Sequence, residues 1–390
     1  MAAPGFNLPA DLFGLIYDRL PCPVDRLHMR QVCHNWRTAV TPPAPRPLPS
    51  IFLPRAGALS FSCVFSGCAT HRLKLWVEDA RRARYFGSFD GGWVFFAIGR
   101  PHGHTLQNLL ADHSFKLPSL FFLRNGCHIP LVILAATLSS PPVHGKSVIG
   151  AIVSSRRRLR GTERQLAFWR LGQCDAIDKT LTPTQADLED IIFHKKSFHV
   201  LDEQERVRAY TPLFDRDGNM EECHTEWPLS QMRRRHYEEH VAARYLVESR
   251  DELLMVVRLT PHHGQPTSAF RVFQMVYLRG RLHRNAHILG SLEHTWNELH
   301  KLDGRVLFVG RGCSRSHEVA DHAGFEEGVY FLDDGSFRDG DKDELLFQNS
   351  DQLQFSCTDS GRWSAPTRQI ESLFPEQAPS NYSPPVWIRP

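Results

Sequence analysis

From residue 51 onward the chain is built of short apolar and aromatic runs separated by turn residues, and that rhythm restricts the fold more than any other feature. The runs cover 147–154, 165–171, 190–193, 197–201, 205–210, 245–248, 252–259, 270–278, 305–310 and 328–332, nearly all of a length natural for strands. Asp202-Glu203-Gln204, Ser249-Arg250-Asp251, Asp303-Gly304 and Asp334-Gly335 lie between them and suit tight turns, the Asp-Gly pairs also tolerating positive φ. Consecutive antiparallel hairpins are therefore expected. Many short strands leave a sandwich, a barrel or a propeller. About 320 residues is long for one sandwich, whereas propeller blades of ~40–50 residues each give six or seven. Neither a Trp-Asp signature nor a double glycine recurs at fixed period. One helical interruption is predicted at 231–243, where Met232, Arg233 to Arg235 and Glu238-Glu239 read as an exposed helix.

The first forty residues follow a different pattern. Leu12, Ile16 and Leu20 fall four apart, one stripe of a 3.6-residue helix, with Pro9 suited to its first turn and Pro21 and Pro23 ending it. A second helical stretch is expected from about Val24, with Leu27, Val32, Trp36 and Val40 as its apolar positions. The segment reads as a helical hairpin with apolar surface to spare. Leu8-Pro9, Asp11, Leu12, Ile16, Leu20-Pro21, Asp25, Leu27, Val32-Cys33 and Trp36-Arg37 together resemble an F-box, the module that docks on the Skp adaptor of cullin-based ubiquitin ligases. The resemblance implies adaptor contact through Leu8, Pro9, Leu12, Ile16, Leu20, Pro21, Leu27, Val32 and Trp36, with Trp36 partly internal. The plainer alternative is a hairpin that packs on the rest of the protein.

With 390 residues, a 40-residue helical module leaves a large second domain. A formal charge of +3 with 23% charged residues is too balanced to point to nucleic acid. Nine scattered cysteines fit free thiols in a reducing compartment. No signal-peptide pattern is present, and the longest apolar run, 129–138, is about half a membrane span. A soluble protein of the nucleus or cytoplasm, with no membrane partner, is the expectation. Prolines at 42, 43, 45, 47 and 49 favour polyproline II, hence a semi-rigid spacer.

A second resemblance joins several of the runs. Ala243 to Ser249, Glu252 to Val256, Phe270 to Phe273, Gly304 to Gly310 and Gly328 to Asp334 are similar to the C-terminal half of the plant KIB-type β-propeller, a domain often fused to an F-box. Gly87-Ser88-Phe89-Asp90-Gly91-Gly92-Trp93 matches its early motif and 190–201 its middle hairpin. The similarity thins over 100–165 and after 340. Where relatives carry an Asn-Pro segment this chain reads His104 to Leu110, so an altered blade is expected there. The resemblance implies a propeller with a substrate-recruiting role and does not name the substrate.

Motifs that could carry chemistry fail on detail. His236 and His240 have the spacing of a zinc pair, but Tyr237 stands where the catalytic glutamate belongs. Cys63, Cys68 and His71, and Cys223 with His224, lack paired Cys-x-x-Cys spacing. Gly145-Lys146-Ser147 lacks the leading glycine of a phosphate loop, which would fall at Ser140. Asp339, Asp341 and Asp343 alternate as in a calcium loop, yet Glu344 and Ser350 occupy its glycine and glutamate positions. Arginine runs at 81–84, 156–160 and 233–235 read as solvated rim, and Trp76, Trp93, Trp169 and Trp296 as filling between blades.

The sequence therefore reads as an α+β multidomain chain: F-box helices over 5–41, a Pro-rich linker over 42–50, a mostly antiparallel propeller of six or seven blades over 51–375, and a tail over 376–390. The function expected is that of a non-catalytic receptor in a Skp-cullin-F-box ubiquitin ligase, holding an unknown protein target and needing neither cofactor nor metal. Two alternatives remain: a non-degradative scaffold, and a propeller enzyme or small-ligand binder. The latter would need polar and acidic residues converging on the central channel, and a channel plugged by Phe and Leu would remove it.

Overall fold

The computed structural model describes residues 9–20, 22–39, 48–55, 58–63, 71–72, 83–98, 103–109, 111, 113–122, 128–142, 146–157, 161–173, 187–216, 218–226, 235–278, 293–322, 325–334, 354–374 and 379–388. The chain folds into a few short N-terminal helices and a mostly antiparallel β-propeller.

The helices are α1 (Ala10–Arg19), α2 (Pro23–Gln31) and α3 (His34–Ala39). Pro9 precedes α1 in an extended conformation, and Pro23 opens α2 at a position where no N–H is required. Phe13, Tyr17 and Met29 are buried together, with Leu20, Trp36 and Ala39 against them. The Phe13 and Trp36 rings lie 4.7 Å apart, and Arg26 Nε donates to the Leu20 carbonyl at 2.6 Å, tying α2 to the end of α1. The second helical stretch expected from the sequence is in fact two helices. The chain leaves helical geometry at Val32-Cys33, and α3 carries Trp36 onto Phe13.

All ten apolar runs lie on strands. Around the ring, the first sheet joins β1 (Ser50–Arg55), β2 (Ala58–Cys63) and β3 (His71–Arg72). The second holds β4 (Arg84–Phe89), β5 (Trp93–Ile98), β6 (Gly103–Asn108) and β7 (Ser114–Leu117). The third holds β8 (Leu120–Phe122), β9 (His128–Leu138), β10 (Val148–Arg157) and β11 (Gly161–Arg170). The fourth holds β12 (Leu188–His194), β13 (Ser197–Asp202), β14 (Val207–Phe214) and β15 (Met220–Glu226). The fifth holds β16 (His240–Ser249), β17 (Glu252–Thr260), β18 (Ala269–Leu278) and β19 (Glu293–Leu299). The sixth holds β20 (Arg305–Val309), β21 (Arg315–Glu318), β22 (Gly328–Phe331), β23 (Gly361–Ser364) and β24 (Gln369–Glu371). A last strand, β25 (Val386–Ile388), pairs with β1 and completes the first sheet.

That pairing corrects the boundary placed at 375. The segment read as a tail supplies a strand that joins the end of the chain to its first sheet, with Trp387 2% exposed among Ile51, Val306, Phe308 and Tyr330. The linker is one residue shorter than read, because Ser50 already pairs with Cys63 and Ile388. Three further expectations change. In the sixth sheet β20 and β22 run parallel, since β21 folds back on the other side of β20, so the meander is not antiparallel throughout. Residues 235–239 are irregular and His240 begins β16, so no helix occupies that part of the predicted interruption; 231–234 lie outside the described residues. The departure at His104 to Leu110 leaves the second sheet intact, with β6 paired on both sides.

Tight turns keep the hairpins in register. Lys195-Lys196 (φ 46° and 69°) and Arg250-Asp251 (52° and 65°) take positive φ at both central positions of two-residue turns, the twist that matches adjoining strands, and Gly91-Gly92 (81° and 78°) supply positive φ in the three-residue loop between Phe89 and Trp93. Apolar side chains fill every gap between neighbouring sheets: Phe52, Tyr85 and Phe96 between first and second, Phe95 and Leu131 between second and third, Ile152 and Phe198 between third and fourth. Leu201 and Met255 fill the next gap, then Val256 and Leu307, and finally Phe308 and Trp387 return to the first sheet. Each large side chain buried this way contributes on the order of 1.5–3 kcal/mol, so the ring is held mainly by these contacts between sheets.

Candidate functional site

The strands β25, β4, β9, β12 and β16 touch one another in succession, and β16 touches β21, which defines the inner wall of the ring. The space they enclose is crossed by Gly310-Arg311-Gly312-Cys313-Ser314, the connection from β20 to β21. Gly310 begins a tight turn: the Cys313 N–H donates to its carbonyl at 3.0 Å, and Ser314 Oγ donates to the same oxygen at 2.9 Å. Gly312 has φ 69°, and a Cβ there would stand 2.5 Å from the Ala136 carbonyl oxygen on β9. Only glycine allows so close an approach of backbone to backbone.

Contacts from several sheets converge on this loop. The Gly312 N–H donates to Asp190 Oδ1 of β12 at 2.7 Å. The same carboxylate accepts the Ile191 N–H at 2.8 Å and, through Oδ2, the Leu246 N–H of β16 at 2.7 Å. Asp190 is 1% exposed; burial pushes its pKa up to about 7, against the pull of three N–H donors and the Arg311 charge. Arg311 lies over the Tyr245 ring and pairs with Asp334 at 3.1 Å. Trp387 Nε1 donates to the Val309 carbonyl at 2.8 Å, and Arg315 reaches Asp90 of the second sheet at 3.0 Å. Burial pushes the Cys313 thiol up to about 12, so it stays protonated at neutral pH. The middle of the ring is thus filled by a polar loop rather than by Phe and Leu.

On one side of that loop a cavity of about 840 Å³ opens where β4, β9, β12 and β16 end. Its apolar walls are Phe89, Leu138, Pro141, Ile192 and Phe193. Thr137 and five serines (Ser139, Ser140, Ser249, Ser314 and Ser316) supply hydroxyls, and the charged groups are Asp90, Glu248, Arg250, Arg315, Glu318 and Asp321, with His317 and His322 beside them. Arg250 pairs with Glu318 at 2.6 Å and also donates to the Asp303 carbonyl at 2.7 Å, linking fifth and sixth sheets across the rim. Ser316 Oγ donates to Ser249 Oγ at 2.8 Å along the same seam. Polar and acidic groups therefore do converge on the channel mouth, the condition set for a ligand-binding propeller.

Two buried ionic clusters escaped the sequence reading. Arg244, 1% exposed, pairs with Glu189 at 3.2 Å and Glu205 at 3.4 Å, while Glu205 also accepts Tyr237 Oη at 2.7 Å and Arg235 at 2.9 Å. Arg235, expected on a solvated rim, is therefore half-buried and tied to Glu205. Arg258 pairs with Asp334 and Asp359, and Thr267 donates to Asp359 through its N–H and its hydroxyl. The contacts of Arg235, Tyr237 and Arg244 with Glu189 and Glu205, and of Arg258 and Thr267 with Asp334 and Asp359, join residues 30 to 101 positions apart in sequence, so no local motif marks them. The nearest sequence signal was the match that included Tyr245 and Asp334.

On the helices, four large apolar side chains stand in solvent: Leu12 (42% exposed), Leu15 (51%), Ile16 (42%) and Val32 (61%). Pro9 is exposed, Leu20 half-buried, and Trp36 half-buried against Phe13. Leu8 and Pro21 lie outside the described residues, and Leu27 is placed in α2 by its backbone alone. The stripe Leu12, Ile16, Leu20 thus faces largely outward, because the hairpin buries Phe13 and Tyr17 instead.

Trp93, Trp169 and Trp296 are buried between sheets as expected; Trp76 lies outside the described residues. His240 stacks edge-on against His263, and with no helix there His236 and His240 do not share a helical face. Cys68, Gly145 and the alternating aspartates at 339, 341 and 343 lie outside the described residues, as do Arg81 and Arg82; so do the side chains of Cys63, His71, Arg156 and Arg157. Among the described residues no group of three or more His, Cys, Asp and Glu side chains is placed to hold a metal, and no helix is long and apolar enough to cross a membrane.

The family model described as KIB1-4 beta-propeller matches residues 60–354. No F-box family model matches the N-terminal helices. No curated protein matches the chain.

Proposed function

Because the chain belongs to the KIB1-4 beta-propeller family, we propose that it is the substrate-recruiting subunit of a Skp-cullin-F-box ubiquitin ligase, acting in the nucleus or cytoplasm. The observation that carries this reading is the exposure of the apolar side chains Leu12, Leu15 and Ile16 along α1 and of Val32 at the end of α2. The three helices already bury a core of their own through Phe13, Tyr17 and Met29, so this second apolar surface is surplus to their packing. A surplus of that kind suits a partner. Its residues include three of those that the F-box resemblance assigns to the adaptor: Leu12, Ile16 and Val32.

The six sheets are read as six blades, closed by β25 on β1. In this reading the propeller holds a target protein and the helices hold the ligase scaffold. The chain acts by raising the effective concentration of target beside the charged ubiquitin carrier, and no residue forms a covalent intermediate. The polar channel mouth also favours a second reading, a propeller that binds a small ligand there.

The test is co-purification of the full chain with the Skp adaptor, comparing wild type with a Leu12→Asp, Ile16→Asp double variant. Both sites are exposed, so the melting temperature stays within about a degree while the complex is lost. Wild-type protein that does not bind the adaptor refutes the ligase role.

A further inference from the structure

The cavity at the channel mouth carries more negative than positive charge. Four carboxylates (Asp90, Glu248, Glu318 and Asp321) face two guanidinium groups (Arg250 and Arg315), an excess of two with the histidines neutral. The pairing isolates where the excess sits. Arg315 is taken by Asp90 and Arg250 by Glu318. Among the described residues no Arg or Lys pairs with Glu248 or Asp321; Glu248 has only the His194 ring at 3.4 Å, and both carboxylates are exposed. An anion with a solvated side can still gain from a cation that displaces water there, and a concave wall concentrates its field.

The remainder of the wall limits what that cation can be. Phe89, Ile192 and Phe193 offer aromatic and aliphatic surface next to the carboxylates, the combination on which a long basic side chain lays its methylene stem while its head reaches an anion. A volume of about 840 Å³ accommodates several side chains, and the serine hydroxyls are suited to hydrogen-bond a peptide backbone. The floor is rigid, because Gly312 is locked between Ala136 and Asp190, so the mouth is preformed.

We propose that this mouth is the docking site for the target protein and that it receives a segment of chain carrying lysine or arginine, read by Glu248 and Asp321. The proposal rests on the recruiting role above and specifies the face of the propeller and the chemistry of what it recruits. Target capture occurs where the inner strands β4, β9, β12 and β16 end.

The test uses the purified full chain and fluorescence anisotropy with three probes: a fluorescein-labelled peptide alternating lysine with glycine and serine, the same peptide with glutamate for lysine, and unlabelled spermidine as competitor. The lysine peptide binds and the glutamate peptide does not. Glu248→Gln with Asp321→Asn weakens binding about tenfold, each rim ion pair being worth a factor of about three. Arg250→Gln, which releases Glu318, tightens it. Equal affinity of the double variant and wild type, equal binding of the two peptides, or no binding of the lysine peptide overturns the proposal. Displacement by spermidine at the peptide's own concentration also overturns it, since the mouth would then recognise a free amine rather than a protein segment. Adaptor co-purification on the same preparations reports on the recruiting role separately, because the substitutions lie on the propeller and the adaptor contact on the helices.

Discussion

Replacing Gly312 by alanine tests whether the loop from β20 to β21 holds the ring together. Two effects add. The residue has φ 69°, a left-handed conformation that costs any other L-residue about 1–2 kcal/mol. The new Cβ would also meet the Ala136 carbonyl oxygen at 2.5 Å, its nitrogen at 3.0 Å and its carbonyl carbon at 3.1 Å, all backbone atoms of an inner strand. They cannot rotate away as a side chain would, so the loop must shift, and overpacking of that kind costs about 1–3 kcal/mol. A shift also stretches the 2.7 Å bond from Gly312 to Asp190, adding on the order of 1 kcal/mol. The sum is about 3–6 kcal/mol. Gly304→Ala is the matched control, because φ is 79° there and nothing stands within 4 Å of its Cβ, leaving only the backbone effect. For roughly 340 residues at about 2.1 cal/mol/K each, unfolding entropy is ~0.7 kcal/mol/K, so Gly312→Ala lowers the melting temperature by about 4–8 °C and Gly304→Ala by about 2 °C. Calorimetry on both variants, supported by urea midpoints, measures the difference. Equal losses would mean that the loop does not press on Ala136, and the account of a locked channel floor would fall with it.

Two further outcomes are expected. Asp190 titrates near 7 when folded and near 4 when unfolded, so its protonated form favours the native state: its contribution is complete below about pH 4 and is lost as pH rises through 7. The stability advantage of wild type over Asp190→Asn therefore shrinks between pH 4 and pH 7, and urea titrations giving a constant difference would refute this. Trp387→Ala removes a side chain buried against Phe308 and Phe374 together with its bond to the Val309 carbonyl, which costs about 3–5 kcal/mol; a melt unchanged from wild type would show that β25 does not close the ring.

What could be read in the sequence was local. Strand-length apolar runs with turn residues between them carry their own periodicity, which is why all ten lie on strands and why Arg250-Asp251 and Asp303-Gly304 turn as expected. The two-helix reading of the first forty residues missed the break at Val32-Cys33, because no proline or glycine marks it and the departure is set by Trp36 packing on Phe13. Residues 235–239 read as helix because charged residues dominate them, yet Arg235 and Tyr237 are drawn inward by Glu205, some thirty positions away.

Strand content, turns, the two-part division and the likeness to a KIB-type propeller came from the sequence alone, since each rests on residues close together in the chain. Ring closure, the loop across the channel and the charge of its mouth were decided only by tertiary structure. β25 meets β1 across more than three hundred residues, Asp190 gathers N–H donors from its own strand, β16 and the loop after β20, and Arg315 finds Asp90 from 225 positions away. Such contacts leave no periodicity behind, because they depend on which strand ends the ring brings to the same side.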